Sequence, residues 1–479
     1  MISGVFWNLF GTGFPLLVAL WAVPHLLQGY GHDKFGLLSI IWALIGYFSI
    51  FDLGLGRALT KLVAERIGLK REQEIPDLVM TAMAVISVLG LSAGIIGVLS
   101  AEWLVGDLLK MSSDLALEGT AAMKVLSIGL PFVVLSAALI GLLEAHGEFK
   151  SVNLVRLMMG VGNFVGPTVS LSYSSSLVDA TIILVVIRVL TTALYFQRCH
   201  KKKAFGTSVG HVDAALVRPL FQFGAWITVS NVISPLMVQL DRFVIGAVIG
   251  VVKLPFYVIP ADMLNRLSFL PAALVNVLFP AFSKAMAHDR KHGAELFNKS
   301  CDLMLWCLAP IGIIICLYAS DGLNLWMGEA FSSESAVIVK WLAIGFFFNG
   351  LARLPHALLQ SSGRPDLTAK LHILEFPVYV AVMWLLLSEF NIVGAAIAWT
   401  FRMFLDMILL FFVAAQQVPE IRTRVLMNGI NILVAAGLIA IFMVWDGGGY
   451  RIYFATFAVL GAVLFCYKEI KRLRGAESA

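Results

Sequence analysis

Apolar residues fill this chain in long blocks, separated by short polar stretches, from one end to the other. A helix needs about 17 or more such residues to cross a hydrocarbon layer of about 30 Å. Runs of that length fall at about 4–27, 36–57, 78–100, 121–143, 152–173, 178–197, 219–248, 254–283, 298–319, 336–359, 371–388, 392–414, 427–445 and 450–467. The pattern predicts an all-α polytopic membrane protein with about 14 transmembrane helices. The runs at 219–248 and 254–283 are the most interrupted. They contain Asp241, Arg242, Asp262 and Arg266, and Pro255, Pro260 and Pro271 each remove a backbone donor, so a bent helix is expected there.

Composition agrees with the pattern. Hydrophobic residues make up 59% of the 479 and charged residues only 14%, against about 25% charged in a soluble protein, and the mean hydropathy is +0.88. These values exclude a soluble enzyme, a nucleic-acid binder and a disordered chain. The net charge of +5 is a matter of loops. One alternate set carries Lys61, Arg66, Lys70 and Arg71, then Lys150, then Arg198, Lys201, Lys202, Lys203 and Arg218, then Lys284, Arg290 and Lys291, then Arg364, Arg422 and Arg424, and last Lys468, Lys471, Arg472 and Arg474. The opposite set holds little beyond Lys34, Lys110, Lys253 and Arg451. The positive-inside rule places the first set, and with it both termini, in the cytoplasm. No Lys or Arg precedes Lys34, so residues 4–27 read as a retained first span rather than a signal peptide. The five cysteines form no CxxC pair and read as small apolar residues.

The chain also resembles itself. Leu142 to Lys150 and Leu358 to Asp366 are each an apolar helix end, a polar turn with Gly at the same place and a new apolar run, offset by 216. Lys61 and Lys284 close corresponding spans, and Asn8 with Pro15 matches Asn231 with Pro235. These correspondences predict an N-terminal six-helix lobe over 1–200, a basic cytoplasmic linker over 201–218 and a C-terminal six-helix lobe over 219–415. A helix pair over 427–467 and a basic tail over 468–479 follow. Two repeats in the same orientation suit an alternating-access transporter with a central cavity between them.

No GxxxxGK[ST], HExxH or GxSxG is present, and the nine histidines are scattered. No catalytic residue and no metal site is expected. What remains is charge inside the spans, where an ionisable group costs at least about 2.5–3.5 kcal/mol. Asp52 and Arg57 sit at the end of the second span, in a glycine-rich stretch that allows close helix approach. Adjacent Asp241 and Arg242 point about 100° apart on a helix, so at least one must face a cavity or another helix. Asp262 and Arg266 have the favourable i, i+4 order, while Arg402 and Asp406 have the reverse order and read as a structural pair. Arg188 and Arg353 have no acidic neighbour in sequence, and Glu375 stands early in its span. If the arginines converge, they suit an anionic head group such as a diphosphate, which guanidinium binds bidentately.

The opening stretch with Pro24, Gly31, Phe35-Gly36-Leu37 and Phe51-Asp52-Leu53-Gly54-Leu55-Gly56-Arg57-Ala58 resembles the polysaccharide transporter family. These are O-antigen-type flippases of the multidrug/oligosaccharidyl-lipid/polysaccharide exporter superfamily. Val161-Gly162-Asn163-Phe164-Val165-Gly166-Pro167, Asp241-Arg242-Phe243-Val244-Ile245-Gly246 and Leu278-Phe279-Pro280-Ala281-Phe282-Ser283 agree. The resemblance implies two six-helix lobes around a cavity, lined by helices 1, 2, 7 and 8. That ranks Asp52, Arg57, Asp241, Arg242, Asp262 and Arg266 first, with Arg188, Arg353, Arg402, Asp406 and Glu375 second. It implies transfer of a polyprenyl-diphosphate-linked oligosaccharide from the cytoplasmic to the periplasmic leaflet of a bacterial inner membrane. It further implies no cofactor, H⁺ or Na⁺ as a coupling ion, and a polysaccharide polymerase and chain-length machinery as candidate partners. The last helix pair resembles that of the 14-span members, which include the lipid II flippase, but the opening arginine pattern of that subgroup is absent. The alternative on the same fold is a cation-coupled multidrug or small-solute exporter. It would favour acidic residues buried in helices 1 and 7–8, and the first span has none.

Overall fold

The computed structural model describes residues 2–47, 55–109, 111, 113–202, 204–206, 210–218, 220, 239–445 and 448–477. Asp52, Asn231 and Pro235 lie outside them. The elements are helices in the order α1 (Ile2–Tyr47), α2 (Leu55–Gly68), α3 (Ile75–Glu102), α4 (Ser113–Ala145), α5 (Phe149–Ser170), α6 (Leu177–Lys201), α7 (239–248), α8 (Leu254–Leu267), α9 (Phe269–His288), α10 (Arg290–Met327), α11 (Glu329–Ser361), α12 (Pro365–Gln417), α13 (Arg422–Val444) and α14 (Arg451–Glu477). Eight stretches among the described residues are long and apolar enough to cross a membrane. The protein is a multi-pass membrane protein.

Two long helices each run from one predicted span into the next. α1 breaks at Gly31 (φ 73°, ψ 174°), between the runs at 4–27 and 36–57. α12 breaks at Asn391 (φ 53°, ψ −145°), between those at 371–388 and 392–414. Positive φ is tolerated by Asn because its short side chain bonds locally, and here Asn391 Oδ1 accepts from the Ile392 amide at 2.9 Å. The run at 254–283 is divided at Ser268 into α8 and α9. The stretch between the runs at 78–100 and 121–143 is mostly helical: a π-turn covers Trp103–Leu108 and α4 starts at Ser113.

Contacts divide the chain into Met1–Pro255 and Phe256–Ala479. In the first unit the core joins α2, α3, α4, α5 and α6 through Leu59, Ile86, Leu142, Val155 and Tyr195. α4 comes so close to α2 at Gly141 that any side chain there would collide with the Gly56 carbonyl oxygen and meet Thr60 Oγ1 at 2.7 Å. This is the close approach that small residues permit between membrane helices. In the second unit Phe282, Phe297, Phe347, Leu358, Met407 and Phe411 knit α9, α10, α11 and α12 together. α13 and α14 are fastened to this unit by Lys340 Nζ, which donates to the Met443 carbonyl at 3.1 Å, by an Arg451–Asp321 ion pair and by Trp306 stacked on Phe465 at 4.9 Å. Cys199, Cys301 and Cys316 are buried as free thiols.

The paired turns of the two units are the same structure. After α4, the amides of Gly147 and Glu148 donate to the carbonyls of Glu144 (3.0 Å) and Leu143 (2.9 Å). After α11, the amides of Gly363 and Arg364 donate to Gln360 (3.0 Å) and Leu359 (3.0 Å). Gly147 and Gly363 stand at φ 74° and 77°, the left-handed C-terminal stop in which a glycine has no Cβ penalty.

Candidate functional site

Charged side chains inside the spans define the site candidates, and each unit holds its own set. In the first unit Asp241 and Arg242 of α7 are both buried. Asp241 Oδ1 accepts from the Arg242 amide at 2.9 Å, and Arg242 Nη1 donates to the Ser39 carbonyl of α1 at 3.3 Å. The guanidinium thus faces a neighbouring helix, and the residue it reaches lies four positions beyond Phe35. Arg57 belongs to α2. Arg188 of α6 is buried, and Nη2 donates to Asn163 Oδ1 of α5 at 3.2 Å, with Nη1 against the Met159 sulfur. Its Nε is buried without a hydrogen bond. An amide and a thioether solvate this cation in place of a carboxylate.

The first unit also has a cleft of about 530 Å³ at the Gly31 break, lined by Tyr30, His32, Asp33, Lys34, Leu115 and Glu118. Its wall is tied by a Lys34–Glu118 ion pair at 2.8 Å. Lys34 Nζ donates to the Ser175 carbonyl at 2.9 Å, and Glu118 Oε1 accepts from the Leu177 amide at 2.6 Å. At the opposite helix ends, Lys202 meets Glu148 at 2.6 Å, and its ammonium holds that carboxyl below the usual carboxylate range.

In the second unit Asp262 and Arg266 are half-buried on α8, with the carboxylate close enough to act on the guanidinium. The richest group lies between α11 and the two passes of α12. Helical spacing aligns Arg353, His356 and Gln360 on one face of α11, and His372, Glu375 and Tyr379 on one face of α12 before its break. Arg402 and Asp406, one turn apart, come from the pass after it. The His356 and His372 rings stack with centroids 6.1 Å apart. His372 Nε2 meets Asp406 Oδ1 at 3.5 Å. The Arg402 guanidinium lies over the Tyr379 ring, 5.0 Å from its centroid. Glu375 is buried, in electrostatic reach of Asp406, His372 and Arg402, and Arg353 acts on His356.

Four members of this group, Arg353, Glu375, Arg402 and Asp406, are site candidates from the sequence, and the fold brings them together. His356, His372 and Tyr379 were not singled out. The signal that could have found them is the i, i+3, i+7 recurrence of polar residues in two apolar spans. Among the described residues, no three His, Cys, Asp or Glu side chains are placed to hold a metal ion.

Buried cations, broken helices and a matching turn in each unit mark a class, the multi-span helical membrane proteins. Solved structures share the fold. The lipid II flippase MurJ in an inward closed conformation matches with a TM-score of 0.71 at 14% identity, over 99% of this chain and 100% of that one. An inward-facing multidrug resistance transporter of the MATE family matches at 0.68 and 12%, over 85% and 96%. The family described as polysaccharide biosynthesis protein matches residues 31–336. A candidate O-antigen transporter of Shigella flexneri is 32% identical over 86% of this chain and 96% of its own length. The lipopolysaccharide biosynthesis protein WzxC of Escherichia coli K12 is 22% identical over 87% and 81%. This chain belongs to the polysaccharide biosynthesis protein family.

Proposed function

We propose that this protein is a flippase for polyprenyl-diphosphate-linked oligosaccharide. It carries the lipid-linked sugar from the cytoplasmic to the periplasmic leaflet of a bacterial inner membrane, for O-antigen or exopolysaccharide assembly. The observation that carries this reading is the 32% identity to the candidate O-antigen transporter across nearly its whole length. The buried charges support it. A guanidinium in the hydrocarbon layer is costly, yet Arg188, Arg353 and Arg402 are held inside candidate spans, and Arg242 is buried on α7. Phosphate oxygens match the guanidinium fork. Both termini and the Gly147 and Gly363 turns then face the cytoplasm, by the distribution of Lys and Arg. The cycle is alternating access between the two halves, driven by an ion gradient, with the polymerase and chain-length machinery as downstream partners.

The test is deletion of the gene, followed by extraction of lipid-linked sugars and assignment of their membrane leaflet. Accumulation on the cytoplasmic leaflet, loss of surface polysaccharide and rescue by the intact gene are expected. Unchanged lipid-linked sugars with increased drug sensitivity would overturn the proposal in favour of a small-solute exporter.

A further inference from the structure

The group between α11 and α12 contains an unusual acid. Glu375 is only 2% exposed, and neither carboxyl oxygen accepts a hydrogen bond. An ionised carboxylate stripped of water and given no donor is strongly disfavoured. Asp406 stands within reach of it, and two carboxylates so close do not both ionise without penalty. One proton resolves both problems, because it supplies the missing donor and can bridge the pair.

The neighbours provide a route for that proton. Exposure falls stepwise along the group: the side chain of His372 is 27% exposed, that of Asp406 11%, and Glu375 is the buried end. His372 and Asp406 are in contact at 3.5 Å. Imidazole is the side chain whose protonation changes most readily near neutral pH. The ionisable groups acting on these three are Arg402 of α12 for Glu375 and His372, and His356 of α11 for Asp406 and His372, with Arg353 of α11 acting on His356.

We propose that His372, Asp406 and Glu375 form a proton relay that ends in a proton shared by the two carboxyls, and that this is where the coupling proton is loaded. The proton passes from imidazolium Nε2 to the Asp406 carboxylate and on to Glu375. The imidazole returns to neutral, and no electron or heavy-atom bond changes. Loading leaves the Arg402 charge facing one carboxylate instead of two. That gain of one charge is the difference a two-state carrier can sense. Among the described residues no three His, Cys, Asp or Glu side chains are placed around one point to hold a metal ion, which favours a proton over a sodium ion as the occupant. The role in transport rests on the flippase reading above, whereas the relay itself does not.

Two measurements on the full chain in lipid test this. The first is infrared difference spectroscopy between acidic and alkaline pH. The carbonyl stretch of a protonated carboxyl should titrate across neutral pH in the unmodified protein. It should vanish in Glu375→Gln and in Asp406→Asn, persist in Glu389→Gln (an exposed acid on the same helix) and return in Glu375→Asp, which separates loss of the acid from misfolding. No such band, or an unchanged one in Glu375→Gln, overturns the relay. The second is movement of fluorescent polyprenyl-diphosphate-N-acetylglucosamine in proteoliposomes. With one proton per cycle, each pH unit should drive about a tenfold leaflet ratio, and Glu375→Gln should abolish the response. A response to sodium and none to pH overturns the coupling role. If the unmodified protein moves no labelled lipid under either gradient, the flippase reading fails and the infrared result alone decides the relay.

Discussion

The contact between α2 and α4 makes opposite predictions for one chemical change at two glycines. Gly141 sits in α4 against the backbone of α2, and Gly437 sits in α13 with nothing within 4 Å of where a Cβ would stand. In a helix interior, Gly→Ala is worth about 0.8–1.0 kcal/mol in favour of Ala. At Gly437 nothing opposes that gain. At Gly141 the new methyl strikes the Gly56 carbonyl oxygen, a backbone atom that cannot rotate away. It also crowds Thr60 Oγ1, which donates to that same carbonyl at 3.0 Å. Overpacking costs about 1–3 kcal/mol, and loss of the hydrogen bond costs about 1 kcal/mol more. With the propensity gain subtracted, Gly141→Ala should lose up to about 3 kcal/mol. At that upper value, for a body of this size, the fall in Tm is roughly 6–12 °C, while Gly437→Ala rises by roughly 2–4 °C. A thiol-reactive dye reads the first event directly, because buried Cys199 lies in the same core, its thiol facing the Leu139 carbonyl of α4 at 3.6 Å. A Gly141→Ala melting point within about 1 °C of the unmodified protein would refute the close-approach argument.

The twin turns should behave alike. Gly147→Ala and Gly363→Ala meet no neighbour within 4 Å, so each should lose only the left-handed conformational term, about 1–2 kcal/mol; melting curves that differ by more than that would show that the two stops are not equivalent. The interior charges should separate from a surface charge. Arg266→Gln and Asp241→Asn should each reduce surface polysaccharide in a complementation assay at least about tenfold more than Arg422→Gln, the effect of about 1.4 kcal/mol, and equal, negligible effects at all three would remove the first two from the site.

Much of the architecture was legible in the chain itself. A membrane span must satisfy its own backbone hydrogen bonds and be apolar over a fixed length, so run length and composition specify its position without reference to any other part of the molecule. Both breaks in the long helices were legible for the same reason: Gly31 and Asn391 fall between runs. The equivalence of the Gly147 and Gly363 turns was readable because such a stop is local, using bonds within six residues. Interior charges stood out individually, since each violates the apolar pattern. Which charge meets which was not readable. The sequence puts Asp406 one turn from Arg402, yet in the fold Asp406 also meets His372, and Arg402 lies over Tyr379. Those partners come from different passes, and their meeting depends on helix rotation and register. Both are set by packing of Phe347, Leu358, Met407 and Phe411 in a common core. The chain alone therefore determined that it is a multi-pass helical membrane protein and where charge is embedded. Only tertiary packing decided that His372, Asp406 and Glu375 form one group, because the energy that aligns them is spread over contacts remote in sequence.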